Sequence, residues 1–438
     1  MDTSTALHTD RYELTMLEAA IKHGTADRRC MFEAFGRRLP GARRFGVVGG
    51  IGRLLTAISE FRFTDVELDW LAANDVVGAA TIDWLADYRF RGDIWGYREG
   101  EAYFPESPIL IVESSFAEGV LLETLILSIL NYDSAVATAA TRMVTAARGR
   151  PLAEMGSRRA HEDAAVAAAR AAFIAGFDAT SNLEAGRAWG VPTMGTAAHS
   201  FTLLHDSEEE AFRAQVVASG PGTTLLVDTY DIAAGVETAI RVAGPELGAI
   251  RLDSGDLPTL VLQVRAQLDG LGARNTKITV TNDLDEYAIA TLATVPVDSY
   301  GVGTSLVTGS GSPAAGLVYK LVAHEGDDGS WVPVAKASAG KASIGGRKFA
   351  TRRRDGNGVA VEERVYVGLG PEDAHGIPAA ERPLLVPLIE NGFVDEHHTG
   401  AEGTLRAREH HAAVRKELPA DAFRLGRGDP ALPTVIAD

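Results

Sequence analysis

From Pro151 to about Val302, apolar runs of four to six residues alternate with amphipathic stretches of ten to fifteen. That rhythm predicts strands and helices in alternation, and parallel strands joined by helical crossovers are its usual outcome. The predicted strands are Leu152–Met155, Pro192–Met194, Thr224–Val227, Ala249–Leu252, Lys277–Val280 and Ser299–Val302. Each is followed by polar residues or glycine: Gly156 to Arg159, Gly195 to His199, Asp228, Asp253 to Asp256, Thr281 to Asp283, and Gly303 with Thr304. Barrel enzymes keep their active sites at the carboxyl ends of their strands. The pattern therefore predicts an α/β fold built on an irregular (α/β) barrel, although a doubly wound open sheet would show the same alternation.

On either side the pattern changes. Asp10 with Glu13 marks a helix start, Leu14, Leu17 and Ile21 form its apolar stripe, and Gly24 can end it. Thr64 with Glu67 reads as a capping box ahead of Leu68 and Leu71, while Met31–Phe35 and Ile109–Val112 read as strands. GVVGGIG from Gly46 breaks the dinucleotide-binding spacing at Leu55 and reads as the beginning of a helix. Two helices, Ala117–Leu130 and Ser134–Ala147, should lead into the barrel. After Tyr319, short β-rich runs punctuated by Asp328-Gly329, Gly345-Gly346 and Asp355-Gly356 suggest a separate antiparallel unit, with a helix and a loose end from about Glu396. The domain reading is an N-terminal α+β domain at 1–115, the barrel at 116–318, and a β-rich C-terminal segment at 319–438 packing on the N-terminal domain.

Composition narrows the function classes. The chain has 438 residues, 46% of them hydrophobic, enough for substantial cores. A single cysteine, Cys30, excludes an internal disulfide and suits a reducing cytosol, so a cytoplasmic location is expected. MDTSTALHTD does not read as a secretory signal, and the longest apolar stretch, Val120 to Leu130, contains Glu123 and is too short to cross a bilayer, so no membrane is implied. Net charge is 42 − 59 = −17, which argues against nucleic acid as a partner and confines anion binding to local basic patches. Arg37, Arg38, Arg43 and Arg44 form one such patch and Arg158 with Arg159 another; the run from Arg347 to Arg354 reads as a solvated face.

The polar residues after the predicted strands carry the candidate chemistry. Gly301 to Gly316 is rich in Gly, Ser and Thr and could surround a phosphate with N–H groups and hydroxyls, though it lacks P-loop spacing and also fits a plain surface loop. Arg158 can grip a carboxylate with two parallel hydrogen bonds. Asp228, Asp253 and Asp256 suit a Mg²⁺ pyrophosphate or ribose hydroxyls, but each alone fits a helix N-cap. Taken alone, His199 fits a satisfied structural histidine, and His161 a surface or helix-start residue.

The strings GSRRAH (Gly156 to His161), FDATSN (Phe177 to Asn182) and VPTMGTAAHS (Val191 to Ser200), with TDRYELTM near the start, IRLDSGD from Ile250 and VTNDLDEYAI from Val280, closely resemble the nicotinate phosphoribosyltransferase family. The resemblance runs from roughly Leu7 to Arg352. It implies synthesis of nicotinate mononucleotide and pyrophosphate from nicotinate and phosphoribosyl pyrophosphate, for NAD biosynthesis or salvage, with Mg²⁺ and with ATP as co-substrate. Carried over residue by residue, it implies that Arg158 binds the nicotinate carboxylate beside Ser181 and Asn182. It places Asp253 against the ribose of the donor, and Asn282, Asp283, Gly303 and Thr304 against ribose and 5′-phosphate. His199 becomes the acceptor of the ATP γ-phosphate, with Asp228 as the carboxylate that orients its ring, and Asp253 with Asp256 are the candidate metal ligands. Tyr12 would reach the pocket of a neighbouring subunit, implying a homodimer with shared active sites.

Four features bear on this reading. Related nicotinamide-using enzymes carry an acid where this chain has Ser181, and a substrate carboxylate would be repelled by that acid, so nicotinate is favoured over nicotinamide. His199 argues against a quinolinate enzyme. Met155 stands where many relatives have an aromatic ring, which shifts stacking on the pyridine to Tyr12. The KxSxGK pattern is matched by Lys336, Ser338 and Lys341, with Gly345-Gly346 replacing the usual Pro-Gly. A non-catalytic nucleotide sensor on the same barrel is the rival from outside enzymology.

Overall fold

The computed structural model describes residues 4–336 and 343–437. Two compact units emerge: Met1–Thr138 with Ser312–Asp438, and Ala139–Gly311. Ser338 and Lys341 of the KxSxGK pattern lie outside the described residues.

The second unit holds a six-stranded parallel sheet in the order Ala179–Thr180, Leu152–Glu154, Ser299–Val302, Lys277–Val280, Ala249–Leu252, Thr224–Leu226. Apolar side chains such as Ile250, Leu252, Ile278, Val280, Tyr300 and Val302 are buried, as strands covered on both faces require. Helices return the chain between strands, and their starts are built locally. Asp231 accepts from Ala234 N at 2.8 Å at the head of Ile232–Ala243, and Asp285 accepts from Tyr287 N and Ala288 N at the head of Glu286–Leu292. His161 does the same for Glu162–Ile174, its Nδ1 accepting from Asp163 N. Because every neighbour is parallel, all the carboxyl ends lie along one edge of the sheet.

Five of the six predicted strands occur. Pro192–Met194 makes only a single bridge, Thr193 to Thr180, where Pro192 has no N–H to extend a ladder. The edge position belongs instead to Ala179–Thr180, whose two residues are too short to leave a periodic signal.

In the first unit, Trp331–Pro333, Leu317–Glu325, Arg29–Gly36, Leu110–Ser115, Asp93–Tyr97, Leu385–Glu390 and Phe393–Val394 form one antiparallel sheet in that order. Strands from both ends of the sequence thus share a sheet, so the residues after 319 are not a free-standing antiparallel unit. Glu381–Pro383, Lys348–Arg354, Ala360–Val367 and Thr434–Ala437 form a second sheet, whose last strand occupies the expected loose end. The helix Arg11–His23 starts after Asp10 and stops at a left-handed Gly24, and the Thr64–Glu67 capping box heads Asp65–Ala73.

Two expectations fail for the same reason. The pair of helices before the barrel is a short turn, Phe116–Val120, followed by one continuous helix, Glu123–Ala147. Its polar Asn131-Tyr132-Asp133 segment does not break it, because Asn131 Oδ1 accepts from Leu317 N at 2.8 Å and Asp133 pairs with Arg53 at 2.7 Å. Nor is the Arg347 to Arg354 run a solvated face: Lys348 and Arg352 are buried, with Lys348 Nζ donating to Glu33 at 2.5 Å and Arg352 bridging Glu101 and Glu363 at 2.6 and 2.7 Å. In both cases partners remote in sequence satisfy the polar groups.

Candidate active site

Four segments at the carboxyl edge of the parallel sheet line a cavity of about 160 Å³. Met155, Arg158, Asp253, Asn282, Asp283, Gly303 and Thr304 line it, together with Arg159, Arg251, Thr281 and Gly301. The walls come close because two glycines allow it. A Cβ at Gly156 would lie 2.3 Å from Val307 Cγ1, and one at Gly301 would lie 2.6 Å from Thr281 Cγ2 and 2.7 Å from Met155 Sδ. Asn282 and Asp283 hold left-handed φ angles of 96° and 36°. Such strain in non-glycine residues costs on the order of 1–3 kcal/mol each and concentrates at functional walls.

Arg158 and Arg159 are exposed on the turn after Leu152–Glu154. Glu154 itself is fully buried. Its carboxylate accepts from Gly156 N and from the Thr180 hydroxyl, and its carbonyl accepts from Ser181 N at 2.8 Å. Burial raises the Glu154 carboxyl above its ordinary range, against those hydrogen bonds. Asn182 caps the helix Leu183–Trp189 through Ala185 N at 2.9 Å and donates to Ser157 Oγ at 3.0 Å, while the Ser181 side chain is exposed.

A second group centres on His199, the first residue of the helix His199–Leu204. Its Nδ1 is 3.2 Å from Thr229 Oγ1, and its Nε2 is 3.8 Å from both Asp228 Oδ1 and Asp253 Oδ2. The ring is 41% exposed, open enough to meet a ligand. Asp228 Oδ2 accepts from Asp253 N at 2.8 Å and Ser254 Oγ at 2.7 Å, leaving the buried Oδ1 without a hydrogen-bond partner. Arg251 joins the two groups. Its Nη1 donates to Thr196 Oγ1 at 2.7 Å and Ala197 O at 3.1 Å, its Nε to Thr281 Oγ1 at 3.2 Å, and its Nη2 lies 3.3 Å from Asp253 Oδ2. Asp256 stands apart on an exposed turn, accepting from Thr259 Oγ1 at 2.7 Å.

Tyr12 belongs to the other unit, exposed on Arg11–His23. Partial burial, then Glu123 and Glu13, push its hydroxyl up to about 12, so it remains neutral at working pH. In that unit Arg37 and Arg38 line an opening of about 920 Å³, whereas Arg43 is buried and Arg44 pairs with Asp421.

The chain was compared with known proteins. Residues 7–131 match the family model for the nicotinate phosphoribosyltransferase N-terminal domain. Over 98% of its length the chain is 55% identical to nicotinate phosphoribosyltransferase pncB1 of Mycobacterium tuberculosis, covering 94% of that protein. The chain belongs to the nicotinate phosphoribosyltransferase family. It is 39% identical to the Bacillus subtilis nicotinate phosphoribosyltransferase, over 80% of this chain and 74% of that one. Among solved structures, human nicotinic acid phosphoribosyltransferase superposes with a TM-score of 0.81 at 26% identity, over 98% of this chain and 97% of that one. A nicotinate-nucleotide pyrophosphorylase from Pyrococcus furiosus shares the fold, with a TM-score of 0.75 at 24% identity over 96% of this chain and 97% of that one. No helix among the described residues is long and apolar enough to cross a membrane.

Sequence reasoning missed Glu154, Arg251 and Thr229 in this family member. A signal existed for two of them: each is a charged residue inside an otherwise apolar strand. Thr229 leaves none, since its importance is a contact 30 residues away.

Proposed function

We propose that this protein is a nicotinate phosphoribosyltransferase, joining nicotinate to the ribose of phosphoribosyl pyrophosphate with release of pyrophosphate. The carrying observation is the cavity where the Arg158 turn meets Asp253, Asn282 and Thr304, in a chain that is 55% identical to an enzyme of that name. The barrel reading of the parallel sheet rests on the same relatives. The pyridine nitrogen has its own lone pair, so attack at C1 needs no general base, and positioning with electrostatic stabilisation carries the reaction. Arg158 would hold the nicotinate carboxylate, with the exposed Ser181 hydroxyl as a further donor. Asp253 would meet the ribose, whose C1 gains positive charge as pyrophosphate leaves. Asn282, Asp283, Gly303 and Thr304 would hold ribose and 5′-phosphate.

Mg²⁺ carried on pyrophosphate oxygens needs only one or two protein carboxylates. Asp253, which lines the cavity, fits that role, and the exposed Asp256 three residues further along the chain could join it. When bound, the ion neutralises the leaving group.

ATP is read as a co-substrate whose γ-phosphate passes to His199, with Asp228 orienting the ring. The unpartnered Asp228 Oδ1, 3.8 Å from His199 Nε2, supports this, since a small closure makes a hydrogen bond. Met155 lines the cavity with a thioether, leaving an aromatic face for the pyridine to come from Tyr12 of a second copy in a homodimer. A cytoplasmic location agrees with the single buried cysteine.

The test is direct. Purified protein with nicotinate, phosphoribosyl pyrophosphate and Mg²⁺ should release pyrophosphate and form nicotinate mononucleotide, measured by chromatography. Equal turnover of nicotinamide would remove the specificity argument from Ser181, and binding without turnover would leave a sensor.

A further inference from the structure

Two turns must stand at a fixed separation if one carboxylate is to be held by Arg158 from one and Ser181 from the other. The chain ties them by a closed ring of hydrogen bonds. The Glu154 carboxylate accepts from Gly156 N through Oε1 and from the Thr180 hydroxyl through Oε2. Thr180 Oγ1 accepts in turn from Asn182 N at 2.9 Å, and Asn182 Nδ2 donates to Ser157 Oγ at 3.0 Å, returning to the first turn. Ser181 N, bonded to Glu154 O at 2.8 Å, braces the ring from the backbone.

Burying an acid against neutral donors is costly, and an apolar residue at this place would be at least as good for stability alone. Glu154 and Thr180 are both fully buried, so the acid gains nothing from solvent. The first turn also sits directly on the carboxylate: a Cβ at Gly156 would lie 2.9 Å from Glu154 Oε1. Such an arrangement has a use in geometry.

We propose that Glu154 is a positioning residue, whose carboxylate locks the Arg158 turn to the Ser181 turn and so sets the grip on the carboxylate of the pyridine substrate. The proposal rests on nicotinate being that substrate. It assigns Glu154 no contact with substrate and no proton transfer. Its effect should therefore fall on the pyridine and spare the phosphoribosyl donor, whose proposed contacts lie on the turns after Ala249–Leu252, Lys277–Val280 and Ser299–Val302.

The experiment measures kcat, both Michaelis constants and thermal midpoints for Glu154→Gln, Glu154→Ala, Thr180→Val and the Glu154→Ala/Thr180→Val double variant. Loss of two buried hydrogen bonds should raise the nicotinate KM about tenfold in Glu154→Ala, with the phosphoribosyl pyrophosphate KM within about twofold. Thr180→Val should move the nicotinate KM in the same direction by less, and the double variant should add little, because both residues serve one lock. Glu154→Gln keeps an oxygen for Gly156 N and should stay near wild type. If Glu154→Ala does not fold, Thr180→Val decides. An unmoved nicotinate KM in Glu154→Ala, or in Thr180→Val where Glu154→Ala does not fold, with only the thermal midpoint lowered, overturns the positioning role while the enzyme reading stands. A wild type that does not turn over nicotinate removes both.

Discussion

Arg158 stands exposed on a turn whose backbone is fixed from beneath, so its guanidinium can meet a ligand without reordering the loop. A charge-assisted pair with a carboxylate contributes roughly 1.5–3 kcal/mol, so Arg158→Ala should raise the nicotinate KM about tenfold to a hundredfold. Tyr12 belongs to the other unit of the chain, and Tyr12→Ala should be similarly weak if its ring stacks on the pyridine. Mixing the two variants separates the possible architectures. Were each site shared between copies, a heterodimer would carry one site with both lesions and one with neither, and activity at low nicotinate would recover. No recovery, with subunit exchange proven by mass spectrometry, would put both residues in one copy's site. At this scale the sequence is legible where polar residues follow apolar runs, as with Arg158, Asp253 and Thr304. It is silent where the role is a long-range contact. Arg251 reaches Thr196 across 55 residues, and Glu154 reaches Thr180 across 26, so neither role can be read from neighbours in the chain.

Between strand and helix, the segment from Gly195 to His199 shows what an element can and cannot announce. Its strand, predicted at Pro192–Met194, reduces to one bridge, yet the loop still delivers His199 to the head of a helix beside two carboxylates. Periodicity found the strands long enough to alternate and bury apolar side chains. It missed the two-residue edge strand, and divided the Glu123–Ala147 helix at polar residues whose partners lie elsewhere. The placement of His199 gives a sharp prediction, since the pyridine is its own nucleophile and needs no histidine. His199→Ala should abolish ATP hydrolysis and its stimulation of synthesis while leaving slow, ATP-independent transfer. Wild type incubated with γ-labelled ATP should carry one acid-labile, base-stable label. Undiminished labelling of His199→Ala, or a wild type that never hydrolyses ATP, returns His199 to a structural role.

For the molecule as a whole, stability in the unit that joins both ends of the sequence depends on a buried ionic network that no local pattern reveals. Arg352 is fully buried between Glu101 and Glu363, at 2.6 and 2.7 Å, and donates to Ala102 O at 2.7 Å. Tyr97 donates to Glu363 at 2.7 Å, and Arg382 and His410 lie 2.8 and 2.9 Å from Glu101. The network thereby connects the two sheets of that unit described above with the two-stranded pair Gly46–Val47 and Ala102–Tyr103. Removing one partner of a buried pair leaves the other charge uncompensated, so Arg352→Met should destabilise the fold by about 3–5 kcal/mol. Arg353→Met, on the partly exposed Arg353–Glu362 pair, should change stability far less. The pH dependence has a definite sign. Burial alone would raise the Glu101 carboxyl, but Arg352, His410 and Arg382 hold it well below the usual carboxylate range. A depressed native pKa gives stability that is fully present above the unfolded value, near about 4.3, and is lost as pH falls from there through the native value. In Arg352→Met much of that depression disappears. The stability gap to wild type, from urea unfolding, should therefore be widest near neutral pH and narrow on acidification below about pH 4. A gap constant from pH 7 to pH 3 would show that Arg352 acts by packing and not by charge.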